Sequence, residues 1–121
     1  AELKRLGLEA DRLALVGFSQ GTMMALHVAP RRAAPVAGVV GYSGLLAGPE
    51  HLEAEIRSRP PMLLVHGSDD PLIPAAAMQQ AASTLGAADV DVEWHIRPGL
   101  GHGIDPEGLD LGATFLRRVL G

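Results

Sequence analysis

Short, continuous apolar runs recur along the chain, and each is followed by a stretch of helical character. Three of these runs lie at residues 13–16, 36–40 and 62–65. Apolar runs of this length are typical of strands that are buried on both faces of a parallel sheet. Strands that alternate with helices pair in parallel and are joined by right-handed crossovers. The pattern therefore predicts an α/β fold.

A fourth strand is predicted at residues 90–97, where apolar and polar side chains alternate. This alternation indicates one solvated face, which is typical of a strand at the edge of a sheet. We therefore expect about four parallel strands with flanking helices.

The segments between the strands carry helix signals. Residues 20–29 are apolar nearly all round, which predicts a buried helix that ends at Pro30. Residues 74–85 have apolar side chains at helical spacing, with Gly86 as the expected stop. Asp105 as N-cap and Pro106 at the first helical position predict the start of a final helix. Two further expectations are an opening helix around Leu3 and Leu6 and a long connection over residues 44–60 with one short helix.

The composition excludes several classes of function. The chain has 121 residues, enough for one domain, and a net charge of −4, which argues against a binder of nucleic-acid phosphates. It has no cysteine, so thiol nucleophiles and thiolate metal sites are excluded, and a cytoplasmic protein is expected. No apolar run approaches the roughly 18 residues that a membrane span needs.

A G-x-S-x-G motif at residues 17–21 carries the first chemical signal. It directly follows a predicted buried strand and directly precedes a predicted helix, which is the setting of a nucleophile elbow. We expect Ser19 to be the nucleophile, with a strained backbone and φ above zero. Gly17 and Gly21 are expected to avoid collisions across the tight turn. The backbone N–H of Gln20, at the helix start, could stabilise an oxyanion.

Partners for the serine follow in the chain order that this type of fold uses, an acid and then a histidine. Asp69 and Asp70 follow the strand at 62–65, and His102 follows the strand at 90–97. All of these residues therefore lie at the carboxyl ends of parallel strands, where open α/β sheets place their sites.

The chain has five histidines that could act as the base. His102 is favoured because it lies between glycines in a loop, the approachable setting that catalytic residues often have. His27 is expected to be a core residue in a buried helix. His51 is expected in an irregular connection, where nothing in the sequence indicates a role for it. His66 ends a strand and is expected to pack in a turn. His95 is expected on a solvated strand face.

The residues alone do not separate the two aspartates. Asp70 precedes Pro71, which restricts its backbone and so directs its side chain. Asp69 could instead stabilise the turn. Ser43 and Ser68 also follow strands, but neither lies in an elbow, so both are expected to be loop hydroxyls.

Three motifs together resemble the phospholipase/carboxylesterase family, which includes bacterial carboxylesterases and acyl-protein thioesterases. They are G-F-S-Q-G at 17–21, H-G-x-x-D-P-L-I-P at 66–74, and the Gly-His pair at 101–102. The resemblance implies a serine carboxylesterase that acts on small-molecule acyl esters, thioesters or lysophospholipids without a metal or organic cofactor. It implies Ser19 as nucleophile, His102 as base and Asp70, the aspartate before proline, as the acid. Thr22 stands where the family often has a second glycine, a change expected to leave catalysis intact.

The resemblance also implies that part of the fold precedes these residues. Family members have further strands before the elbow strand, and a loop there supplies a second oxyanion donor. We therefore expect residues 1–121 to be the C-terminal portion of a single α/β-hydrolase domain, with the N-terminal strands absent. The strand at 12–16 would then have one open edge, through which homo-oligomers could form. Two alternatives stay open: a catalytically inactive half-domain, and a serine peptidase or lyase on the same fold.

Overall fold

The computed structural model describes residues 12–121, in which strands and helices alternate. The strands of this part of the chain are β1 (Ala14–Phe18), β2 (Gly38–Tyr42), β3 (Met62–Gly67) and β4 (Val92–Arg97). Its α-helices are α1 (Gln20–Val28), α2 (Leu52–Glu55), α3 (Ala75–Ala87) and α4 (Pro106–Leu120). A short 3₁₀ turn at Ala29–Arg31 follows α1, and another at Pro49–His51 precedes α2. The helix expected around Leu3 and Leu6 lies outside the described residues.

The strands form one sheet in the order β1-β2-β3-β4, and every neighbouring pair is parallel. This confirms the predicted α/β fold with four parallel strands. Because the strands run in one direction, the residues that follow β1, β3 and β4 meet at the same edge of the sheet. Among the described strands, β1 pairs only with β2.

Apolar side chains cover both faces of the sheet. On one face, α1 and α3 pack on the strands in a cluster that includes Leu26, Val39, Leu64, Met78 and Leu85. On the other face, α4 contributes Phe115 to a second cluster with Val40, Tyr42, Leu63 and Val65. The strands β2 and β3 are buried along their whole length, as their uninterrupted apolar runs predict.

The strand β4 lies at the end of the sheet, as its alternating pattern predicted. Its polar face is only partly solvated, however, because α4 approaches it. Arg118 of α4 lies 3.3 Å from the Glu93 carboxylate, and Arg97 lies 2.9 Å from that of Asp105. On the opposite face Trp94 is 45% exposed, since an edge strand has a neighbour on one side only.

The helix α1 is not buried all round, which corrects the expectation for residues 20–29. Its buried residues are Thr22, Ala25 and Leu26, whereas Met24 is 66% exposed. Within residues 12–121, His27 is exposed as well, and not in the core as expected. The reason is that α1 packs on the sheet with one face, and no element within residues 12–121 covers the opposite one.

The end of α3 also differs from its prediction, because Gly86 lies inside the helix. The chain leaves the helix at Asp89, which has a left-handed φ of 67°. Val90 N–H donates to Leu85 O at 3.0 Å and Asp89 N–H to Gly86 O at 3.0 Å. These two bonds are the Schellman pattern, in which a left-handed residue closes the helix. Asp89 therefore has the role that the sequence assigned to Gly86.

The start of α4 is as predicted. Asp105 is its N-cap, with Oδ1 accepting a 2.8 Å hydrogen bond from Gly108 N–H, and Pro106 follows at the first turn. None of the helices in the described part of the chain is long and apolar enough to cross a membrane.

Candidate active site

Ser19 lies in the sharp turn between β1 and α1. Its backbone has φ 55° and ψ −112°, a strained conformation for a residue with a side chain. The turn is held because Ser19 N–H donates to Tyr42 O at the end of β2, at 2.9 Å. The chain therefore turns directly from strand to helix with Ser19 at the apex, as an elbow requires.

The residues beside Ser19 explain how so tight a turn is possible. A Cβ on Gly17 would lie 2.5 Å from the carbonyl carbon of Gly21, so only glycine fits at position 17. Within residues 12–121, a Cβ on Gly21 would meet no atom within 4 Å, so the expectation that this glycine avoids a collision across the turn is wrong. Thr22 is buried, and its Oγ1 donates to Tyr42 O at 2.7 Å. Its hydroxyl thus provides a second attachment of the elbow to β2.

His102 lies in the loop after β4 and contacts both other members of the predicted triad. Its Nε2 is 3.0 Å from Ser19 Oγ, and its Nδ1 is 2.7 Å from Asp70 Oδ2. Both distances lie within hydrogen-bonding range. Phe18 packs beside the imidazole, with ring centroids 5.1 Å apart.

The carboxylate of Asp70 is buried and has a hydrogen-bonding partner at each oxygen. Oδ1 accepts from the N–H groups of Leu72 at 2.8 Å and Ile73 at 2.9 Å, while Oδ2 faces His102. Burial opposes ionisation of Asp70, but these hydrogen bonds outweigh it, so the pKa of the carboxyl is lowered. The site therefore holds this carboxylate in its charged form.

The neighbouring Asp69 has a different environment. It is exposed, and its carboxylate accepts from Ser68 Oγ at 3.0 Å. Its own N–H donates to Leu100 O at 2.9 Å, which ties the backbone here to the loop after β4. The structure therefore brings Asp70, and not Asp69, beside His102.

The loop that carries His102 is fastened to the rest of the site by contacts that the sequence did not indicate. Ser68 Oγ accepts from Gly99 N–H at 2.8 Å, and Ser43 Oγ donates to Gly103 O at 3.0 Å. A Cβ on Gly67 would overlap the carbonyl oxygens of Leu100 and Gly101, so the loop can approach β3 only because residue 67 is glycine. The two serines expected to be unassigned loop hydroxyls thus hold both sides of the His102 loop.

The other histidines have different partners, and among the described residues His102 is the histidine that forms a hydrogen bond with Ser19 Oγ. His51 is exposed near Glu50, and His95 Nε2 lies 2.8 Å from Glu93 Oε2. His66 is buried, with Nε2 2.7 Å from Ile73 O, in agreement with its expected packing role in the turn. The sequence did not indicate that His66 also lies beside Asp70, at 3.3 Å from Oδ2.

Gln20 is the first residue of α1 and directly follows Ser19. The N–H groups of the first helical turn have no acceptor within their own helix, and they lie at the positive end of the helix dipole. The Gln20 N–H is therefore available to a negatively charged oxygen near Ser19. Within residues 12–121, no group of three or more histidine, aspartate or glutamate side chains is arranged to share a metal ion.

Comparison with known proteins identifies the family of this chain. The sequence profile of the phospholipase/carboxylesterase family matches residues 1–120. The chain belongs to the phospholipase/carboxylesterase family. The resemblance read from its three motifs is thereby confirmed.

Individual relatives match almost all of this chain but only part of their own. Acyl-protein thioesterase 1 of Gibberella zeae is 31% identical over 119 residues, covering 94% of this chain and 51% of that protein. Esterase YpfH of Escherichia coli is 32% identical over 117 residues, covering 97% and 49%. The crystal structure of esterase PE8 superposes with a TM-score of 0.95 at 42% identity, covering 98% and 55%. The chain spans about half the length of the curated relatives it matches.

Proposed function

We propose that the protein containing this chain is a serine hydrolase that cleaves carboxylic esters, with Ser19, His102 and Asp70 as its catalytic triad. The observation that carries the proposal is the continuous line of contacts from Ser19 Oγ through the His102 ring to the buried Asp70 carboxylate. A serine hydroxyl is a poor nucleophile unless a base removes its proton, and this line supplies the base and its orienting acid.

The reaction proceeds in two halves. Ser19 Oγ attacks the acyl carbonyl carbon while His102 Nε2 takes the hydroxyl proton, and the negative charge on the carbonyl oxygen is stabilised by Gln20 N–H. The carbon–oxygen or carbon–sulfur bond to the leaving group then breaks, and His102 returns the proton to that group. Water, deprotonated by His102, then attacks the acyl carbon, and His102 returns that proton to Ser19 Oγ as the bond between Oγ and the acyl carbon breaks and the acid is released. Asp70 holds the imidazole in the orientation that keeps Nε2 free to accept a proton.

The substrates we propose are short to medium acyl esters, with thioesters and lysophospholipids in the same class. Relatives named as esterases and as an acyl-protein thioesterase support this range. Esters, thioesters and lysophospholipids all present an electrophilic acyl carbon to Ser19, so one triad can act on all three. Phe18, half-exposed beside His102, offers an apolar contact for an acyl chain.

We further propose that residues 1–121 form the C-terminal portion of a single hydrolase domain. Apolar side chains of β1 and α1 support this, because Val16, Phe18, Met24 and Val28 are all exposed. Each of these two neighbouring elements thus exposes apolar side chains that another part of a protein could cover.

Residues 1–121 produced alone should therefore associate through these exposed apolar side chains and through the edge of β1 that no strand within residues 12–121 covers. Light scattering would measure this, and a stable monomer that turns over ester at about 1 s⁻¹ would contradict the proposal.

The experiment that tests the function compares Ser19→Ala with the parent sequence in the full-length protein. With chromogenic acyl esters as substrates, we expect kcat to fall about 10⁴- to 10⁶-fold, as triad deletions do, with unchanged circular dichroism. A parallel assay with a peptide substrate separates an esterase from a peptidase. Activity of Ser19→Ala within tenfold of the parent would show that another residue is the nucleophile.

A further inference from the structure

His66 belongs to β3, and its buried side chain lies between this strand and the turn that carries Asp70. Its side chain is fully buried, and its Nε2 lies 2.7 Å from Ile73 O and 3.3 Å from Asp70 Oδ2. A carbonyl oxygen can only accept a hydrogen bond, so Nε2 must carry the proton. Within the described residues, the buried Nδ1 contacts no hydrogen-bonding group. A second proton there would be a buried charge without an acceptor among the described residues, so the geometry favours a single proton, carried on Nε2.

The hydrogen bond from His66 fixes Ile73, the residue whose N–H binds the Asp70 carboxylate. Ile73 accepts from His66 through its carbonyl and donates its N–H to Asp70 Oδ1 at 2.9 Å. The neighbouring Leu72, whose N–H donates to the same oxygen, has a side chain 71% exposed, so the outer part of the turn is held weakly by packing. The hydrogen bond from His66 therefore adds an anchor from β3 to the residue that orients the Asp70 carboxylate.

The second contact of His66 acts on the other carboxylate oxygen. The polarised N–H edge of the ring lies beside Oδ2, the atom that also faces His102 Nδ1 at 2.7 Å. The partial positive charge of this N–H attracts Oδ2 and opposes rotation of the carboxylate away from His102. Both contacts of His66 thus favour the same orientation of Asp70.

We propose that His66 is a positioning residue of the active site: as the neutral Nε2–H tautomer it locks the turn at residues 70–73 and holds Asp70 against His102. This inference rests on the proposed function for its effect on turnover. The positioning itself is a statement about geometry and can be measured without substrate.

The test uses three substitutions of His66 in the full-length protein. His66→Gln can place an amide N–H near the position of Nε2, whereas the shorter His66→Asn reaches only the position of Nδ1, where it finds no acceptor. His66→Leu removes the donor altogether. We expect His66→Asn and His66→Leu to lower kcat for a chromogenic ester about 10- to 100-fold with KM within about twofold, the scale of outer contacts that orient a reactive group. His66→Gln should stay within about threefold of the parent, and His51→Asn, an exposed control, should match it.

Two measurements keep the inference separate from the proposed function and from loss of folding. In the unsubstituted protein, ¹⁵N NMR should find His66 as the neutral Nε2–H tautomer, and the proton shared by His102 and Asp70 should give a low-field ¹H signal. That signal should broaden or disappear in His66→Asn and persist in His66→Gln. An Nδ1–H tautomer at His66, or folded His66→Asn with parental kcat and an intact low-field signal, would overturn the inference. A parent protein without ester turnover would instead overturn the proposed function and leave the NMR result to decide the inference.

Discussion

Replacing Asp70 by asparagine exchanges one carboxylate oxygen for an NH₂ group, and the structure predicts how the new amide will be oriented. Asp70 Oδ1 accepts from two backbone N–H groups, those of Leu72 and Ile73. The amide oxygen must take this position, because an NH₂ group there would face two donors. The NH₂ group is then directed at His102 Nδ1, which must accept a hydrogen bond instead of donating one. The proton of the neutral ring consequently moves to Nε2, and His102 can no longer accept the proton of Ser19.

The size of the effect follows from the same contacts. Turning the amide around to restore the productive tautomer would break two hydrogen bonds of about 1.5 kcal/mol each. That penalty of about 3 kcal/mol corresponds to roughly a 10²-fold loss of rate. Loss of the negative charge that stabilises the imidazolium adds to it, so we expect a total loss of about 10⁴-fold in kcat at neutral pH, as in another serine triad altered in this way.

Asp69→Asn is the matched control, because it makes the same chemical change one residue away at an exposed carboxylate. Both variants would be assayed with a chromogenic ester in the full-length protein, and circular dichroism would establish that each is folded. We expect Asp69→Asn to retain activity within about threefold of the parent. The reasoning would be refuted if Asp70→Asn kept more than a tenth of the parental kcat, or if Asp69→Asn lost as much as Asp70→Asn.

Two predictions concern stability. Gly86→Ala should raise the free energy of unfolding by about 0.5–1 kcal/mol, because Gly86 lies inside α3, where alanine is the better helix former. Within residues 12–121, the new Cβ would meet no atom within 4 Å. A urea midpoint below that of the parent protein would instead assign Gly86 the capping role. The lowered pKa of Asp70 makes its ionised form stabilising at pH values above the ordinary pKa of 3.8, and this contribution is lost as the pH falls through the folded-state pKa. The urea midpoints of the parent and of Asp70→Asn should therefore converge in acid, and a gap that widens below pH 4 would contradict the assigned sign.

The strand pattern could be predicted because a strand that is buried on both faces needs a continuous run of apolar residues. The runs that became β2 and β3 contain no charged residue, and they are buried from end to end. Helix ends were less predictable. Asp89 closes α3 in a left-handed conformation, and aspartate adopts this conformation much less readily than glycine does. The sequence therefore favoured Gly86, which sits in the helix without strain.

The histidines and the serine of the candidate site also differ in how well the sequence predicts their place. Ser19 and His102 could be selected because their immediate neighbours, glycines and strand ends, limit what the backbone can do there. His27 has no such neighbours, and the apolar residues around it wrongly placed it in the core. Apolar residues all round a helix do not reveal which of its faces the sheet covers, so the exposure of His27 could be read only from the packed structure.

The sequence by itself determined the order of strands and helices, the elbow at Ser19, and the edge of the sheet at which its partners lie. Tertiary structure alone showed that Ser43 and Ser68 hold the His102 loop and that His66 anchors the turn after β3, and it placed beside His102 the aspartate that the family resemblance implied. The physical reason is the range of the interactions. Hydrophobic periodicity and turn chemistry act over a few neighbouring residues, whereas the contacts that hold the His102 loop join residues 31 and 60 positions apart once parallel strands bring their ends together.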